Sequence, residues 1–445
     1  MRCDRRFRVR VLVWATCGLW SVGLVGCGGG DLAGQPAGGL PVPRGGVVLD
    51  GATWTRVEDP DGVFGVEGEG TVHLSDVVAG GPGYVAVGGV GEGRYGEGGT
   101  VAAVWTSADG AAWERVPHDD AVFGMPGTGA FTAASAVTTV GQELVAVGVE
   151  AHGEALVALA WLSEDGRDWT RVEVDDPRRR DATDLALHAI HATDDGLVAV
   201  GIERGGPAGD EERPAVWRSP DGTAWSPVEL HPADDATRWG YLSTLTAHDG
   251  QLIAAGASGG PGSRGWVATV WHGSIAEGLT RVPHDDAVFG GPGMPWIHGL
   301  VVAGRTLVAV GTVDSHHLDD PPWSPAAVWT STDGVTWQRV AHDHEVFGVD
   351  DDATMLDVVA TPWGLIAVGH RIPEADDPMA RRFVGAVWTS PDAIQWTRLA
   401  DDDATFAPGG YAALTALTAG PDGLVAIGSV GTDDAGPTGA VWTSP

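Results

Sequence analysis

The sequence contains no lysine, so all 26 of its basic residues are arginines, and 60 acidic residues outnumber them. The formal net charge of −34 excludes the basic face that a nucleic-acid-binding protein needs. Cysteine is scarce too: Cys3, Cys17 and Cys27 all precede residue 28, so no disulfide can hold the rest of the chain together. Gly-rich phosphate loops, nucleophile elbows and zinc-protease helices are also missing. What is present is a chain that is 43% hydrophobic and carries 68 glycines and 28 prolines, which predicts a core broken by many turns.

An export signal is predicted at the N-terminus. Arginines precede an uncharged apolar stretch from Val11 to Gly26, which is short for a membrane span and suits the core of a signal peptide. The stretch ends in Leu-Val-Gly-Cys27, which resembles a bacterial lipobox and implies a diacylglyceryl group on Cys27; an ordinary secretory signal is the alternative. We expect a signal peptide over 1–26, a lipidated flexible tether over 27–47, and an extracytoplasmic protein anchored to the bacterial cell membrane by this lipid.

A repeat of about 57 residues organises the remainder. A hairpin unit with Trp105 and Trp113 recurs along the chain, and a Leu-Val-Ala-Val-Gly element about 20 residues before each first Trp occurs in seven versions. Each repeat contains four short β-rich runs separated by Gly, Pro and Asp turns, a pattern typical of β-propellers. The pattern predicts that the two Trp of each hairpin lie directly opposite each other on neighbouring strands.

The two ends of the chain supply the halves of one repeat. Residues 440–445 are its first half and residues 50–57 its second. We therefore predict an all-β fold over residues 48–445: a seven-bladed β-propeller with four antiparallel strands per blade and a last blade closed by both termini, with Trp442 facing Trp54. The Ser-x-Asp-Gly-x-x-Trp turns resemble the Asp-box of sialidase-like propellers, although they are one residue shorter between Ser and Trp. The resemblance implies the fold and not an activity, because Asp-boxes lie far from the sialidase active site.

The connections between repeats carry a smaller motif. His118–Gly124 reads His-Asp-Asp-Ala-Val-Phe-Gly, and related segments begin at His284 and His342. We expect its Phe to fill the seam between neighbouring blades. Its acidic residues form a solvated loop or bind Ca²⁺, which needs six to eight converging oxygens. His316 and His317 lie in one acidic loop and make a weak zinc candidate. We assign no metal and no cofactor, and Ca²⁺ stays the open alternative.

The innermost strands are expected to line a central channel. The predicted channel ring contains Asp76, His188, His298 and Asp357. Glycosidases can work with two carboxylates, so Asp76 and Asp357 are the nearest candidate pair, and a water-filled polar channel is the alternative. A sialidase would also need an arginine cluster, and no Arg occurs on a predicted inner strand. We assign no catalytic residue.

Aromatic residues outside the repeat mark a candidate ligand-binding face. Trp266 and Trp323 are placed on loops between second and third strands, Trp239 on a loop between blades, and Trp296 at the start of an inner strand. Tyr241, His316 and His317 map to the same long-loop face. Such aromatics mark protein interfaces or surfaces on which sugars stack. We predict a cell-surface lipoprotein that binds a protein or a glycan without catalysis. The alternatives are an extracytoplasmic glycoside hydrolase acting at the channel mouth and a passive assembly scaffold. Membrane contact is expected through the lipid alone, with the face of short turns toward the bilayer.

Overall fold

The computed structural model describes residues 53–59, 61–65, 70–91, 99–125, 130–153, 155–175, 184–205, 211–231, 239–259, 266–291, 295–313, 324–348, 352–373, 382–399, 403–407, 410–432 and 435–445. The predicted signal peptide, the tether, Cys27, His316, His317 and Trp323 lie outside these residues.

The described chain is nearly all strand. In the first half the strands are β1 (Thr55–Arg56), β2 (Thr71–Gly80), β3 (Gly83–Gly91), β4 (Thr100–Ser107), β5 (Trp113–Arg115), β6 (Phe131–Val140), β7 (Glu143–His152), β8 (Ala155–Ser163), β9 (Thr170–Glu173), β10 (Asp184–Thr193), β11 (Gly196–Gly205), β12 (Glu211–Ser219), β13 (Ser226–Pro227) and β14 (Leu230–His231). In the second half they are β15 (Gly240–His248), β16 (Gln251–Gly259), β17 (Trp266–Ser274), β18 (Gly278–Arg281), β19 (Pro295–Ala303), β20 (Thr306–Val313), β21 (Ala326–Ser331), β22 (Trp337–Arg339), β23 (Asp352–Thr361), β24 (Gly364–Ile372), β25 (Val384–Ser390), β26 (Thr397–Arg398), β27 (Tyr411–Gly420), β28 (Gly423–Thr432) and β29 (Ala435–Ser444). Three single-turn helices complete the set: α1 (Asp120–Phe123), α2 (His344–Phe347) and α3 (Asp403–Phe406).

The strands form four-stranded antiparallel meanders, which we call units in chain order. Unit 1 is β2–β5, unit 2 β6–β9, unit 3 β10–β13, unit 4 β15–β18, unit 5 β19–β22 and unit 6 β23–β26. Unit 7 is β27–β29 with β1 at its outer edge, paired antiparallel to β29. Units 1 and 2 join into one eight-stranded sheet through a single bridge between Thr100 and Phe131. The predicted all-β class and the four-stranded antiparallel sheets are therefore confirmed.

The apolar core lies between neighbouring units. One cluster joins Val85 and Val104 of unit 1 to Leu144 and Trp161 of unit 2, with Phe123 of the connection between them. Another cluster joins residues of unit 1 to Ile427 of unit 7. As predicted, the Phe of the connecting motif fills the seam. Each sheet is buried on both faces, which explains why its strands read as continuous apolar runs.

The predicted opposition of the two Trp in each hairpin is wrong. Trp105 pairs with Arg115, and Trp113 pairs with Ser107. In unit 7, Trp442 likewise pairs with Arg56, not with Trp54. The reason is the turn, which keeps residues 108–112 out of the ladder. The second Trp closes this turn instead, because its indole N–H donates to the Gly110 carbonyl at 2.8 Å.

Unit 4 departs from the repeat, as its worn sequence indicates. Leu279 stands where the other hairpins have their second Trp, and it is buried. The short strand β14, which follows unit 3, pairs in parallel with β18 and gives unit 4 a fifth strand. The added strand covers the outer edge of β18.

Candidate binding face and channel

A β-bulge at the same place in every first strand positions the predicted channel residues. The register of each first strand against the second shifts by one residue at the bulge. The bulged residues are Ser75, Ser135, His188, Ser243, His298, Leu356 and Thr415. The predicted ring therefore occupies equivalent positions, with Asp76 and Asp357 each one residue beyond a bulge.

The glycine of the Leu-Val-Ala-Val-Gly element faces this bulge. A Cβ placed on Gly201 would lie 2.0 Å from the Ala186 carbonyl oxygen, and one placed on Gly88 would lie 1.9 Å from the His73 carbonyl oxygen. No side chain fits at such distances. The bulge on one strand thus requires a glycine opposite it on the next strand. This steric requirement explains why the glycine recurs in every repeat.

The Asp76 and Asp357 carboxylates fasten neighbouring units together. Asp76 accepts hydrogen bonds from the backbone N–H of Val77 at 2.7 Å and of Val137, in unit 2, at 2.8 Å. Asp357 accepts from Val358 at 2.7 Å and from Leu417, in unit 7, at 2.9 Å. In both residues the two carboxylate oxygens have different backbone donors. This geometry suits a structural connector and engages the oxygens that a catalytic pair would use.

Burial perturbs both carboxyls strongly. Burial raises the pKa of Asp357 to about 8, against the two backbone donors, which lower it. Burial also raises the pKa of Asp76 well above its usual range; Val137 opposes the rise and the charge of Asp357 adds to it. The charge of Asp357 thus acts on Asp76 although each carboxyl is hydrogen-bonded within its own seam.

Three histidines line the same region without charge at neutral pH. Burial lowers the pKa of His188 to about 4, although a contact of its Nδ1 with the Leu242 carbonyl oxygen at 3.3 Å opposes this. Burial and the nearby His370 lower the pKa of His298 to about 3, and burial lowers that of His370 to about 4. A neutral imidazole in this setting presents one donor and one acceptor nitrogen.

The aromatic residues of units 4 and 5 form one packed cluster, which we call the aromatic cluster: Tyr241, Trp266, Trp296 and His298. The ring centroid of Tyr241 lies 5.1 Å from that of Trp266 and 5.4 Å from that of Trp296. The two Trp rings are 6.2 Å apart with an interplanar angle of 11°. His298 stacks on Trp296 at 5.7 Å and 10°. The structure thus brings together three of the predicted aromatics and one predicted channel histidine.

Polar partners hold the aromatic cluster in place. The Tyr241 hydroxyl donates to the Glu212 carboxylate, which is buried and also accepts from the Arg204 Nε at 3.1 Å. Burial and the Glu212 charge raise the pKa of Tyr241, so its hydroxyl keeps its proton and remains a donor. The Trp296 indole N–H donates to the Ser243 hydroxyl at 3.3 Å, and this hydroxyl donates to the Ile297 carbonyl at 2.6 Å. These bonds fix the ring orientations before any ligand arrives.

The aromatic cluster lies at the end of the sheets where the long connections lie. Tyr241 and Trp296 are the second residues of β15 and β19. Trp266 is the first residue of β17, not a loop residue as predicted. All three are half-buried, and Trp239, next to β15, is 38% exposed. The cluster therefore has ring surface accessible from the long-loop end.

Sequence reasoning missed two parts of this site. Glu212 and Arg204 lie beside a loop, in a stretch of sequence with many charged residues. Only the burial of their side chains distinguishes them from the other charged residues there. A second aromatic run links His370 to Phe383 at 4.5 Å, and Phe383 to Tyr411 at 5.4 Å. Phe383 and Tyr411 are aromatic residues just outside the repeated segments. The same position outside the repeat marked Trp296 as a candidate in the sequence.

The His-Asp-Asp motifs have a structural use. Asp119 accepts from the Ala121 N–H at 2.9 Å and caps α1, while the His118 Nε2 lies 3.1 Å from Asp120. The carbonyl of Val122 accepts from the Trp161 indole N–H of the next unit at 2.8 Å. Units 1, 5, 6 and 7 repeat this indole contact. Within the described ranges, no three His, Cys, Asp or Glu side chains converge in a way that could hold a metal ion.

In the part of the chain that the structure covers, no helix has the length and apolarity to cross a bilayer.

No protein-family model matches the chain, and no curated protein is significantly similar to it. Among solved structures, the chain is similar to Trypanosoma rangeli sialidase in complex with sialic acid, with 13% identity, a TM-score of 0.45, and coverage of 88% of this chain and 57% of that one. It is similar to the Neurospora crassa Pan2 WD40 domain, with 11% identity, a TM-score of 0.45, and coverage of 88% and 95%. It is also similar to Penicillium chrysogenum α-L-arabinanase complexed with arabinobiose, with 14% identity, a TM-score of 0.43, and coverage of 68% and 90%. The chain spans little more than half the length of the trypanosomal sialidase chains that it matches.

Proposed function

We propose that this protein is a non-catalytic binding protein whose aromatic cluster receives a carbohydrate. The observation that carries the proposal is the fixed, half-exposed set of Tyr241, Trp266 and Trp296, with two nearly parallel indole rings. Sugar rings offer apolar C–H faces to aromatic planes and hydroxyls to the polar groups beside them. Glu212 and Ser243 hold the rings in orientation, so little conformational entropy is lost on binding. A protein ligand is the second reading of the same surface.

We place this site on a closed seven-bladed β-propeller. In support, each first strand contacts the first strand of the next unit, and β27 contacts β2. The Thr415 hydroxyl donates to the Leu74 carbonyl at 2.9 Å, which links unit 7 to unit 1. The pairing of β1 with β29 completes unit 7 from both ends of the chain. Closure of this kind leaves no sheet with an uncovered apolar face at either end of the series.

We further propose that the protein is held at the outer face of a bacterial membrane by a lipid on Cys27. The support is the sequence Leu-Val-Gly-Cys27 and the Gly- and Pro-rich segment that follows it. We do not include hydrolysis in the proposed function, because Asp76 and Asp357, the nearest carboxylate pair, each accept two backbone hydrogen bonds.

The test is a glycan array followed by titration of the hits with variants. Trp266→Ala and Trp296→Ala should each weaken binding by about 2 kcal/mol or more, roughly a thirtyfold loss, if they are hot spots. Trp363→Ala, at an exposed Trp on the opposite end of the sheets, is the matched control and should bind like the wild type. Unchanged affinity in both cluster variants would refute the site.

Two further measurements separate the rival functions. If the array gives no hit, pull-down of a protein ligand that depends on Trp266 and Trp296 supports the second reading. A panel of soluble glycoside substrates, run on the wild type and on Asp357→Asn, addresses hydrolysis. Turnover by the wild type that Asp357→Asn abolishes without unfolding would contradict a non-catalytic role.

A further inference from the structure

Three of the most exposed large apolar side chains lie in turns at the end of the sheets opposite the aromatic cluster. Val335 and Ile394 are in the turns between third and fourth strands of units 5 and 6, and Trp363 is in the turn between the first two strands of unit 6. Their exposed fractions are 39%, 57% and 58%. We call Val335, Trp363 and Ile394 the apolar turn patch.

The turn geometry does not require apolar residues at these positions. The backbone N–H of Val335 and of Ile394 donates to the turn Asp at 2.9 Å, and the side chain takes no part. The residues with the same backbone contact in units 1, 2 and 3 are Ala111, Arg167 and Thr223. At the position of Trp363, immediately before the second strand, the other units have Pro82, Gln142, Asp195, Gly250, Arg305 and Asp422. Among the described turns at this end of the sheets, exposed large apolar side chains therefore occur in units 5 and 6.

The N-terminal segment reaches the fold at the same end and beside the same unit. The described chain begins at Thr53, and β1 runs antiparallel to β29 from its Ser444 end, which is the short-turn end. Trp54 packs in one cluster with Ile366 of β24, the strand that starts directly after Trp363. From Cys27 to Thr53 is 26 residues along the chain. Even fully extended, a chain of this length spans at most about 90 Å, which limits how far the fold can lie from a lipid on Cys27.

We propose that the apolar turn patch rests in the interfacial region of the bilayer to which the N-terminus is anchored. The inference rests on the proposed membrane anchoring and adds a second membrane contact, where the sequence predicted the lipid alone. Trp is the side chain best suited to the boundary between lipid headgroups and acyl chains, and Ile and Val add apolar area. A weak contact between the patch and the bilayer is sufficient, because the tether keeps the patch at a high local concentration near the membrane.

The charge pattern selects a neutral membrane surface. Asp333 and Asp392 lie within the patch, and each accepts two backbone N–H groups of its own turn. The Asp333 carboxylate stays ionised, since backbone donors lower its pKa to about 2. With a net charge of −34, the protein gains nothing from anionic lipid. Zwitterionic phosphatidylcholine is therefore the appropriate probe.

The experiment uses the full chain reconstituted into phosphatidylcholine vesicles, with and without brominated acyl chains that quench Trp fluorescence on contact. The wild type should show a small quenched fraction. Trp363→Phe should lose it, because the reporter is removed while an aromatic ring remains. Trp239→Phe, at the exposed Trp of the long-loop end, should keep it. Equal quenching in Trp363→Phe and the wild type, or none in either, overturns the proposal.

A second pair of variants tests the contact without removing the reporter. Ile394→Asp should lower the quenching of Trp363 at least twofold, because the patch loses apolar area and gains a charge. Ala111→Asp places the same change at the equivalent turn position of unit 1 and should leave quenching unchanged. Equal effects of both variants would contradict the patch. The outcome does not depend on glycan binding, because the proposed glycan site lies at the opposite end of the sheets.

Discussion

Gly201 shows how one residue type can determine the geometry of a strand pair. Its missing Cβ leaves room for the Ala186 carbonyl oxygen, which the bulge at His188 turns toward it. The Leu-Val-Ala-Val-Gly element could be found in the sequence, but its steric reason could not, since the clashing oxygen belongs to another strand.

We expect Gly201→Ala to destabilise the fold by about 3 kcal/mol, the upper part of the usual range for overpacking, because backbone must move. Gly205→Ala is the matched control: it lies on the same strand, and a Cβ there meets nothing within 4 Å. Urea denaturation of both variants checks this. Similar losses in the two variants would show that the bulge is not the cause.

Buried titratable groups near the strand bulges act on stability in opposite directions. His188, His298 and His370 have pKa values lowered from 6.5 to about 4, 3 and 4, so they contribute stability that is present above pH 6.5 and is lost as the pH falls. Asp357 has its pKa raised from 3.8 to about 8, so its contribution is present at low pH and is lost as the pH rises through 8.

Above about pH 7.5 the three histidines are neutral in the folded and the unfolded protein alike, so of these four groups only Asp357 still titrates, and we expect stability to fall between about pH 7.5 and 8.5. Asp357→Asn should be less stable overall, with a shallower decline, because an amide does not titrate. Asp333→Asn, at a turn Asp whose pKa lies near 2, should keep the wild-type slope. Denaturation midpoints at about pH 7.5, 8 and 8.5, around the folded-state pKa of Asp357, provide the measurement. A steeper or unchanged slope in Asp357→Asn would contradict the assignment.

At the scale of the element, the turn between third and fourth strands is a self-contained unit of hydrogen bonds. Asp333 accepts from the N–H groups of Val335 and Thr336 at 2.9 and 2.7 Å, and the Ser331 hydroxyl accepts from Gly334 at 3.0 Å. The sequence predicted the turn and its Asp correctly. It did not predict the strand register, because the number of turn residues outside the ladder depends on these side-chain bonds.

Asp333→Ala leaves two turn N–H groups without their carboxylate, and we expect a loss of about 1 kcal/mol, similar to that of a helix cap. Glu277→Ala, in the worn turn of unit 4, is the control, since no turn carboxylate organises that segment through paired N–H contacts. Thermal unfolding of the two variants distinguishes them. A wild-type midpoint for Asp333→Ala would mean that water replaces the carboxylate without cost.

For the whole molecule, the seams between units were predictable only in part. The Phe of the connecting motif was assigned to the seam correctly, because an isolated aromatic in an acidic loop needs a buried partner. The carboxylates of Asp76 and Asp357 were considered as a catalytic pair, since a sequence cannot show that their acceptor sites are filled by the neighbouring sheet. The aromatic cluster could be predicted because its residues fall outside the repeat. Glu212 could not be predicted, because nothing in the sequence sets it apart from the charged residues around it.

Removing residues 440–445 should unfold the protein or lower its stability by several kcal/mol, a large share of the total for a typical domain. Those residues pair with both β28 and β1, so unit 7 would lose half of its third strand and the attachment of its fourth. Removing Pro445 alone is the control, because it lies outside the ladder. Differential scanning calorimetry of the two truncations decides. A wild-type midpoint after the longer deletion would refute closure through β29.

Trp271 marks a difference in how unit 4 is attached to the unit before it. In units 1, 2, 5, 6 and 7 the first indole N–H is bonded to the incoming connection, but the buried Trp271 Nε1 has no hydrogen-bond partner among the described residues. The connection into unit 4 also lacks the Val-Phe motif. The connection from unit 3 instead adds β14 to unit 4 as a parallel strand beside β18, and the Leu279 N–H donates to the Glu229 carbonyl at 2.9 Å. The attachment that lies beside Tyr241 and Trp266 therefore rests on main-chain hydrogen bonds, which no side-chain substitution removes.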